Sequence, residues 1–297
     1  MKHLIAPILA LLAAASTVWS AAPAAFTVKT SGAGPAMILI PGLASSGDVW
    51  EQTVAHYQGT HTCHVLTLAG FAGTPAPAGD RAFLTTVRED LAAYIRDQEL
   101  GRPIIVGHSL GAFLALDLAT THPELPGAIV LVDGLPFFFG VMQANATIDD
   151  ARRVAGPMAA NHRRMDPATY EQMIRGGPNG STMAASARDL DRIVAWGLAS
   201  DGPTVAEAMT EMLTTDLRPA LASIEVPALA LAAWVGYAPY ASHESIERIY
   251  REQYGRLEGM RIEITDTARH FIMLDEPEWM HARIDAFLAA RSQTASP

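Results

Sequence analysis

The chain is poor in three things, and each absence narrows what it does. It holds a single cysteine, Cys63, so no internal disulfide braces the fold. Cys63 opens the apolar run from Cys63 to Leu68 and reads as a small core residue. Lysine occurs only at positions 2 and 29, and acidic residues outnumber basic ones 31 to 21, for a net charge of −10. That balance argues against a nucleic-acid partner and against anionic membrane surfaces. Finally, no apolar run is long enough to span a bilayer comfortably. Leu4 to Ala15 follows the positive Lys2 and gives way to small residues from Ser16 to Ala25. This is the pattern of a signal peptide over about residues 1–22, with processing after Ser20 or at an alanine soon after it. The expectation is a periplasmic or secreted protein with no stable membrane insertion once the leader is removed, and a retained N-terminal anchor is the alternative.

About 275 residues then remain, enough for one large α/β domain with an insertion. Strand-like and helix-like segments alternate, which implies a mainly parallel sheet flanked by helices. Phe26 to Thr30, Ala36 to Ile40, Cys63 to Leu68, Arg102 to Val106 and Ala128 to Val132 read as strands, as do Val226 to Ala233 and Met260 to Thr265. Asp48 is placed to cap a helix carrying Trp50, Val54 and Tyr57 on one face. Phe83 to Leu100 and Leu110 to Thr121 read as helices, and Pro277 opens a last one with Trp279, Ile284, Phe287 and Leu288. Between about Pro136 and Arg218 the texture changes to short helical patterns rich in methionine. The reading is an α/β core over 23–136 and 219–297, with a helical cap insertion over 137–218.

Gly107-His108-Ser109-Leu110-Gly111 joins a strand-like run to a helix-like run. A serine at such a junction is held in a strained turn with its hydroxyl above the sheet edge, and flanking glycines let neighbouring backbones come close. Ser109 is therefore the candidate nucleophile. A serine needs a base and oxyanion donors. His270 lies a few residues beyond the last strand, on the edge that the loops after parallel strands share. The oxyanion donors fall to the backbone amide of Leu110, which opens the helix, and to that of Leu43 in the turn Pro41-Gly42-Leu43-Ala44.

With these elements in place, the chain resembles the α/β-hydrolase fold family over nearly its whole mature length, in the branch with a helical cap. The resemblance rests on Leu39-Ile40-Pro41-Gly42 with Trp50 downstream, on Gly-His-Ser-Leu-Gly at 107–111, and on His270-Phe271-Ile272-Met273 followed by Asp275-Glu276-Pro277. It implies a serine hydrolase working through a covalent acyl-enzyme, with no metal and no organic cofactor. Two departures stand out. Most relatives carry His-Gly where this chain has Pro41-Gly42. Relatives also place the triad acid just after the penultimate strand, where this chain runs Ala233-Trp234-Val235-Gly236-Tyr237-Ala238-Pro239-Tyr240 without a carboxylate. Asp133, at the end of the strand after the nucleophile helix, is the natural replacement and keeps the chain order serine, acid, histidine. Asp266, Asp275 and a Ser-His dyad are the alternatives.

Phe137-Phe138-Phe139 follows Asp133 and leads into the cap, where it either lines a substrate pocket or forms the cap's own core. Trp234, Tyr237 and Tyr240 either fill the space left by the missing carboxylate or touch substrate. Residues 137–218 carry eight arginines against ten acidic residues, giving no reason to expect a polyanionic substrate. His61 and His64 flank Cys63, but Cys63 and His64 would face opposite sides of a strand, so no zinc site is expected. The resulting expectation is an ester hydrolase acting on a small-to-medium, uncharged substrate. An amide or peptide hydrolase, a cofactor-free haloperoxidase-like enzyme and a non-catalytic binding protein on the same fold are the alternatives.

Overall fold

The computed structural model describes residues 25–77, 81–142, 146–176 and 180–294. The expected signal peptide lies outside these residues. Seven strands are present among the described residues: β1 (Phe26–Gly32), β2 (Ala36–Ile40), β3 (Thr62–Leu68), β4 (Ile104–His108), β5 (Ala128–Val132), β6 (Ala228–Ala233) and β7 (Arg261–Thr265). They form one sheet in the order β1-β3-β2-β4-β5-β6-β7, with β1 antiparallel to β3 and every other pairing parallel.

The helices are α1 (Glu51–Tyr57), α2 (Phe83–Asp97), α3 (Leu110–Thr121), α4 (Phe139–Met142), α5 (Ile148–Arg164), α6 (Pro167–Arg175), α7 (Ala187–Leu198), α8 (Gly202–Thr214), α9 (His243–Gln253), α10 (Ile272–Asp275) and α11 (Pro277–Thr294). The inner strands β2, β4, β5 and β6 are buried throughout, as strands covered on both faces must be. Their side chains alternate between two cores. Ile38, Ile105, Ile129 and Ala230 join Phe83, Phe113 and Tyr250 on the side of α2, α3 and α9. Met37, Val106, Val130 and Leu231 join Trp50, Met280 and Ile284 on the side of α1 and α11. On β6 the residues facing α9 are Ala228, Ala230 and Ala232, in the same core as Tyr250 and Tyr254. Small residues on that strand leave room for large rings opposite.

Helices α4 to α8 all lie between β5 and β6, so the insertion is helical as expected. It is tied to the core at defined points. The Glu211 carboxylate of α8 accepts from the amides of Phe83 and Leu84 at 2.6 and 3.1 Å, capping α2, whose own N-terminal residue Ala82 offers no side-chain cap. Asp48 does not cap a helix. Ser46 accepts from the Asp48 amide at the start of a short 3₁₀ turn before α1, and the Asp48 carboxylate pairs with Lys29 at 2.9 Å. An ion pair with the one described lysine competes with capping, and the serine two residues back takes the role. Cys63 is buried on the α1 face, while His64 bonds the Tyr94 hydroxyl at 2.9 Å on the other.

The seam between α1 and α11 carries a titratable cluster. The rings of His56 and His281 stack with centroids 4.5 Å apart, His56 and Tyr57 both reach Asp285, and His281 meets Thr53 at 3.2 Å. Burial, with the neighbouring His56 charge, lowers the His281 pKa from 6.5 to about 4. The unfolded chain therefore takes up this proton first, and the stability held with His281 neutral above pH 6.5 is lost as pH falls toward 4. His281→Gln should flatten that limb of the profile of melting temperature against pH by on the order of a few °C. Parallel profiles for the two proteins would refute the assignment.

Candidate active site

Ser109 sits where β4 turns into α3, with φ 52° and ψ −114°. A non-glycine residue with positive φ is strained by about 1–3 kcal/mol, and the surroundings must hold it there. They do so tightly. A Cβ on Gly107 would lie 2.1 Å from the Gly111 carbonyl oxygen, and one on Gly111 would lie 2.2 Å from that of Ile40. Both glycines are thus required by backbone contact. The Ser109 amide continues the sheet by donating to Val132 at 2.9 Å. Its hydroxyl makes no hydrogen bond among the described residues, leaving it free for a substrate.

The turn after β2 comes up beside it. A Cβ on Gly42 would lie 2.9 Å from Nδ1 of His108 and 3.2 Å from Cβ of Ser109, so only glycine lets this turn approach. The Ser45 amide closes the turn onto the Gly42 carbonyl at 3.3 Å, and Ala44 adopts φ 53°. Leu43 lies within this turn, while Leu110 opens α3, where first-turn amides lack intrahelical acceptors. Gly42, Leu43 and Ser109 line one cavity.

Asp133 is the carboxylate that meets His270, with Oδ2 and Nδ1 2.6 Å apart. Its other oxygen accepts from the Ala233 amide and from the Tyr250 hydroxyl, both at 2.9 Å. Asp133 is buried and has φ 43°, so a second strained residue stands beside the first. Three tyrosines surround this carboxylate. Tyr254 donates to the Gly134 carbonyl at 2.8 Å, and the nearby negative charge, after burial, pushes the phenols of Tyr237, Tyr250 and Tyr254 upward. Of the alternatives, Asp266 is exposed and accepts from Trp234 at 3.3 Å. Asp275 accepts from the amides of Ala185 and Arg269 at 2.8 and 2.9 Å. Tyr250→Phe removes one donor from Asp133 and loosens the carboxylate that orients His270. The variant should lose about tenfold in kcat with KM little changed. A loss carried by KM or by melting temperature, with kcat retained, would mark Tyr250 as packing alone.

The insertion holds the His270 loop. The amides of His270 and Phe271 donate to the carbonyls of Thr182 and Met183 at 3.1 and 2.9 Å, and the Arg269 guanidinium donates to Ala184 at 2.8 Å. From below, His108 donates through Nε2 to the His270 carbonyl at 3.1 Å. Burial and the adjacent His270 lower the His108 pKa well below its ordinary value, so it stays neutral. Its Nδ1 is buried without a hydrogen-bond partner among the described residues. His108, Tyr250 and the strap 182–185 are the parts of the site that sequence reasoning missed. Only His108 carried a signal, its place beside Ser109.

Two cavities share His270. One, of about 230 Å³, is lined by Ser109, His108, Leu43 and cap residues including Met173, Ile193 and Met209. The other, of about 400 Å³, is lined by Asp133, Phe138, Tyr237, Tyr240, Ala241 and Ile249, among others. Phe138 and Tyr237 therefore line the larger of these two cavities. Phe137 does not line either cavity. It is fully buried against Phe139 and Ala151, with the Arg218 guanidinium 4.5 Å above its ring, so it belongs to the cap's own core. Trp234 also lies outside both, held by Asp266 and edge-on to His243. No group of three or more His, Cys, Asp or Glu among the described residues is placed to hold a metal, and no described helix is long and apolar enough to cross a membrane.

The profile of the "Alpha/beta hydrolase family" matches residues 37–283, from β2 into α11. The chain belongs to the α/β hydrolase family. Among curated relatives, it is 26% identical to a pimeloyl-[acyl-carrier protein] methyl ester esterase of Aeromonas hydrophila, over 68% of this chain and 77% of the relative. It is 24% identical to a putative carbamate hydrolase, RutD, of Serratia proteamaculans, over 80% of this chain and 88% of the relative. Among solved structures, an enol-lactonase from Burkholderia xenovorans LB400 superposes with a TM-score of 0.72 at 17% identity, covering 89% of this chain and 96% of that one. The loop after β6, Trp234 to Tyr240, supplies aromatic rings and no acid. The carboxylate that reaches His270 comes from the end of β5.

Proposed function

We propose that this α/β hydrolase is an exported serine esterase that cleaves carboxylic esters of small-to-medium uncharged substrates through an acyl-serine intermediate. The observation that carries the reading is the Asp133–His270 contact of 2.6 Å beside a serine in a strained turn. Asp133 holds the proton on Nδ1 of His270 and leaves Nε2 as the basic nitrogen. Ser109 attacks the ester carbonyl as His270 takes its proton. The amides of Leu43 and Leu110 stabilise the oxyanion, and His270 returns the proton to the departing alcohol. Water activated by the same histidine then releases the acid. Neither cavity is lined by lysine or arginine, and Asp133 is the only carboxylate in either. That lining favours a neutral substrate over a carboxylate-bearing one, and offers a substrate amine no second anion. Export rests on the leader pattern at the N-terminus.

Labelling with a fluorophosphonate, followed by peptide mapping, should place the adduct on Ser109. A panel of p-nitrophenyl esters and aminoacyl amides should give turnover on the esters first. Absence of both label and ester turnover would sink the proposal, and activity confined to the amides would replace esterase by amidase. Fractionation with sequencing of the mature N-terminus tests export, and retention of residues 1–22 on a cytoplasmic protein would refute it.

A further inference from the structure

The cavity that holds Ser109 is lined by two sets of residues. Gly42, Leu43, His108, Ser109 and His270 come from loops and turns of the α/β core, and most of the rest come from the cap. Helix period decides what α5 turns toward this cavity. Ala151, Ala155 and Ala159 are buried at intervals of four, and the next position on the same stripe, three residues on, is His162. The helix packed against α5 is α8, whose Val205, Met209 and Met212 line the same cavity. An inward stripe of alanines therefore ends in a histidine that faces the chamber of the nucleophile.

Polar side chains are few in this chamber. Ser109 and His270 carry the reaction, and His108 donates to the His270 carbonyl. Tyr170 directs its hydroxyl at α7, where a Cβ on Gly197 would lie 1.8 Å from it. His162 remains. Its ring meets the Tyr170 ring edge-on with centroids 6.1 Å apart, and neither ring nitrogen makes a hydrogen bond among the described residues. The other lining residues are apolar. Burial lowers the His162 pKa below its ordinary value, so the ring is uncharged at neutral pH and offers one donor and one acceptor. Arg163 and Arg164, which follow it, are exposed and take no part in the lining. A half-buried ring in an apolar chamber thus keeps hydrogen-bonding capacity that a ligand can take up.

We propose that His162 is a specificity-determining residue that hydrogen-bonds a neutral polar group, a second carbonyl or a hydroxyl, on the acyl chain of the substrate. This rests on the esterase reading and narrows it to esters of short-to-medium oxo or hydroxy acids rather than plain alkanoates. The acyl group is bonded to Ser109 in the intermediate, so it lies in the cavity that contains Ser109. That cavity measures about 230 Å³. At about 30 Å³ for a water-sized group it has room for roughly eight non-hydrogen atoms, enough for a six-carbon acyl chain with one added oxygen. An apolar chain gains only burial there, whereas a chain with a well-placed carbonyl also satisfies the ring.

The test compares methyl hexanoate with methyl 4-oxohexanoate and methyl 5-oxohexanoate. The wild type should favour one of the oxo esters by about three- to tenfold in kcat/KM, mostly through KM, because the bond is made in ground and transition states alike. His162→Leu, which removes both nitrogens, should bring that ratio within about twofold of one. His162→Gln keeps a donor and an acceptor and should retain most of the preference. Met209→Leu reshapes the same cavity without touching a polar group and should retain it as well. Should His162→Leu not fold, His162→Phe, which keeps a ring against Tyr170, takes its place. The role of His162 is overturned if the wild type shows no oxo preference, or if the preference survives loss of both nitrogens. It is also overturned if Met209→Leu erases the preference equally, or if monomethyl glutarate, the carboxylate isostere of the 5-oxo ester, is preferred at neutral pH. Each of these leaves the esterase reading intact. No turnover on any ester, with no fluorophosphonate label, overturns both.

Discussion

Ser109→Ala is expected to lower kcat by roughly 10⁴- to 10⁶-fold on any ester the wild type turns over, and to abolish fluorophosphonate labelling. The size follows from the geometry. Replacing Oγ by hydrogen removes the only atom that could form the acyl intermediate, while the turn after β2, the start of α3 and the Asp133–His270 pair stay in place. The hydroxyl makes no hydrogen bond among the described residues, so its removal leaves no partner unsatisfied. Alanine at φ 52° is strained much as serine is. The melting temperature should therefore move by no more than about 2–4 °C, corresponding to less than roughly 1 kcal/mol. Retained turnover above a hundredth of wild type, in protein shown free of wild-type carry-over, would remove Ser109 from the mechanism.

The second large effect is expected at Asp133. Asp133→Asn should reduce kcat by roughly 10⁴-fold, because an amide NH₂ in place of a carboxylate oxygen lets His270 carry its proton on the wrong nitrogen. The buried carboxylate also accepts three hydrogen bonds, from His270, the Ala233 amide and Tyr250. An asparagine has one oxygen to share among them, so a loss of stability of about 1–3 kcal/mol should accompany the loss of rate. Asp266→Asn and Asp275→Asn are the controls. Asp266 is exposed and should be near silent, whereas Asp275 should act through the loop it braces, with a smaller loss in rate. If Asp133→Asn turns over normally while either control fails, the acid lies elsewhere.

Much of this arrangement was legible from the chain. The bounds of β2, β5 and α3 fall where apolar β-branched runs give way to Pro41-Gly42, to Asp133, and to the helix that starts at Leu110. Those signals are local, so a single sequence carries them. Asp48 departs from the expected cap because its carboxylate is held by Lys29, 19 residues away in the chain but 2.9 Å away in space. The Phe137–Phe139 run could be read two ways for a similar reason. Consecutive residues entering a short helix point in different directions, so Phe137 and Phe139 went to the cap's core and Phe138 to a cavity.

Sequence by itself determined the fold class, the serine at the strand–helix junction and the glycines around it, because these follow from periodicity and from local backbone sterics. Only the tertiary structure decided which carboxylate reaches His270, since Asp133 and His270 are 137 residues apart and Asp133, Asp266 and Asp275 all lie at or near the ends of strands or loops on the same edge by sequence. It also decided that Tyr250 holds that carboxylate and that the strap 182–185 holds the histidine loop. It decided as well that one histidine divides two cavities of unequal size. Each of these depends on how the cap and α9 pack against the sheet, a sum of long-range contacts that no local pattern encodes.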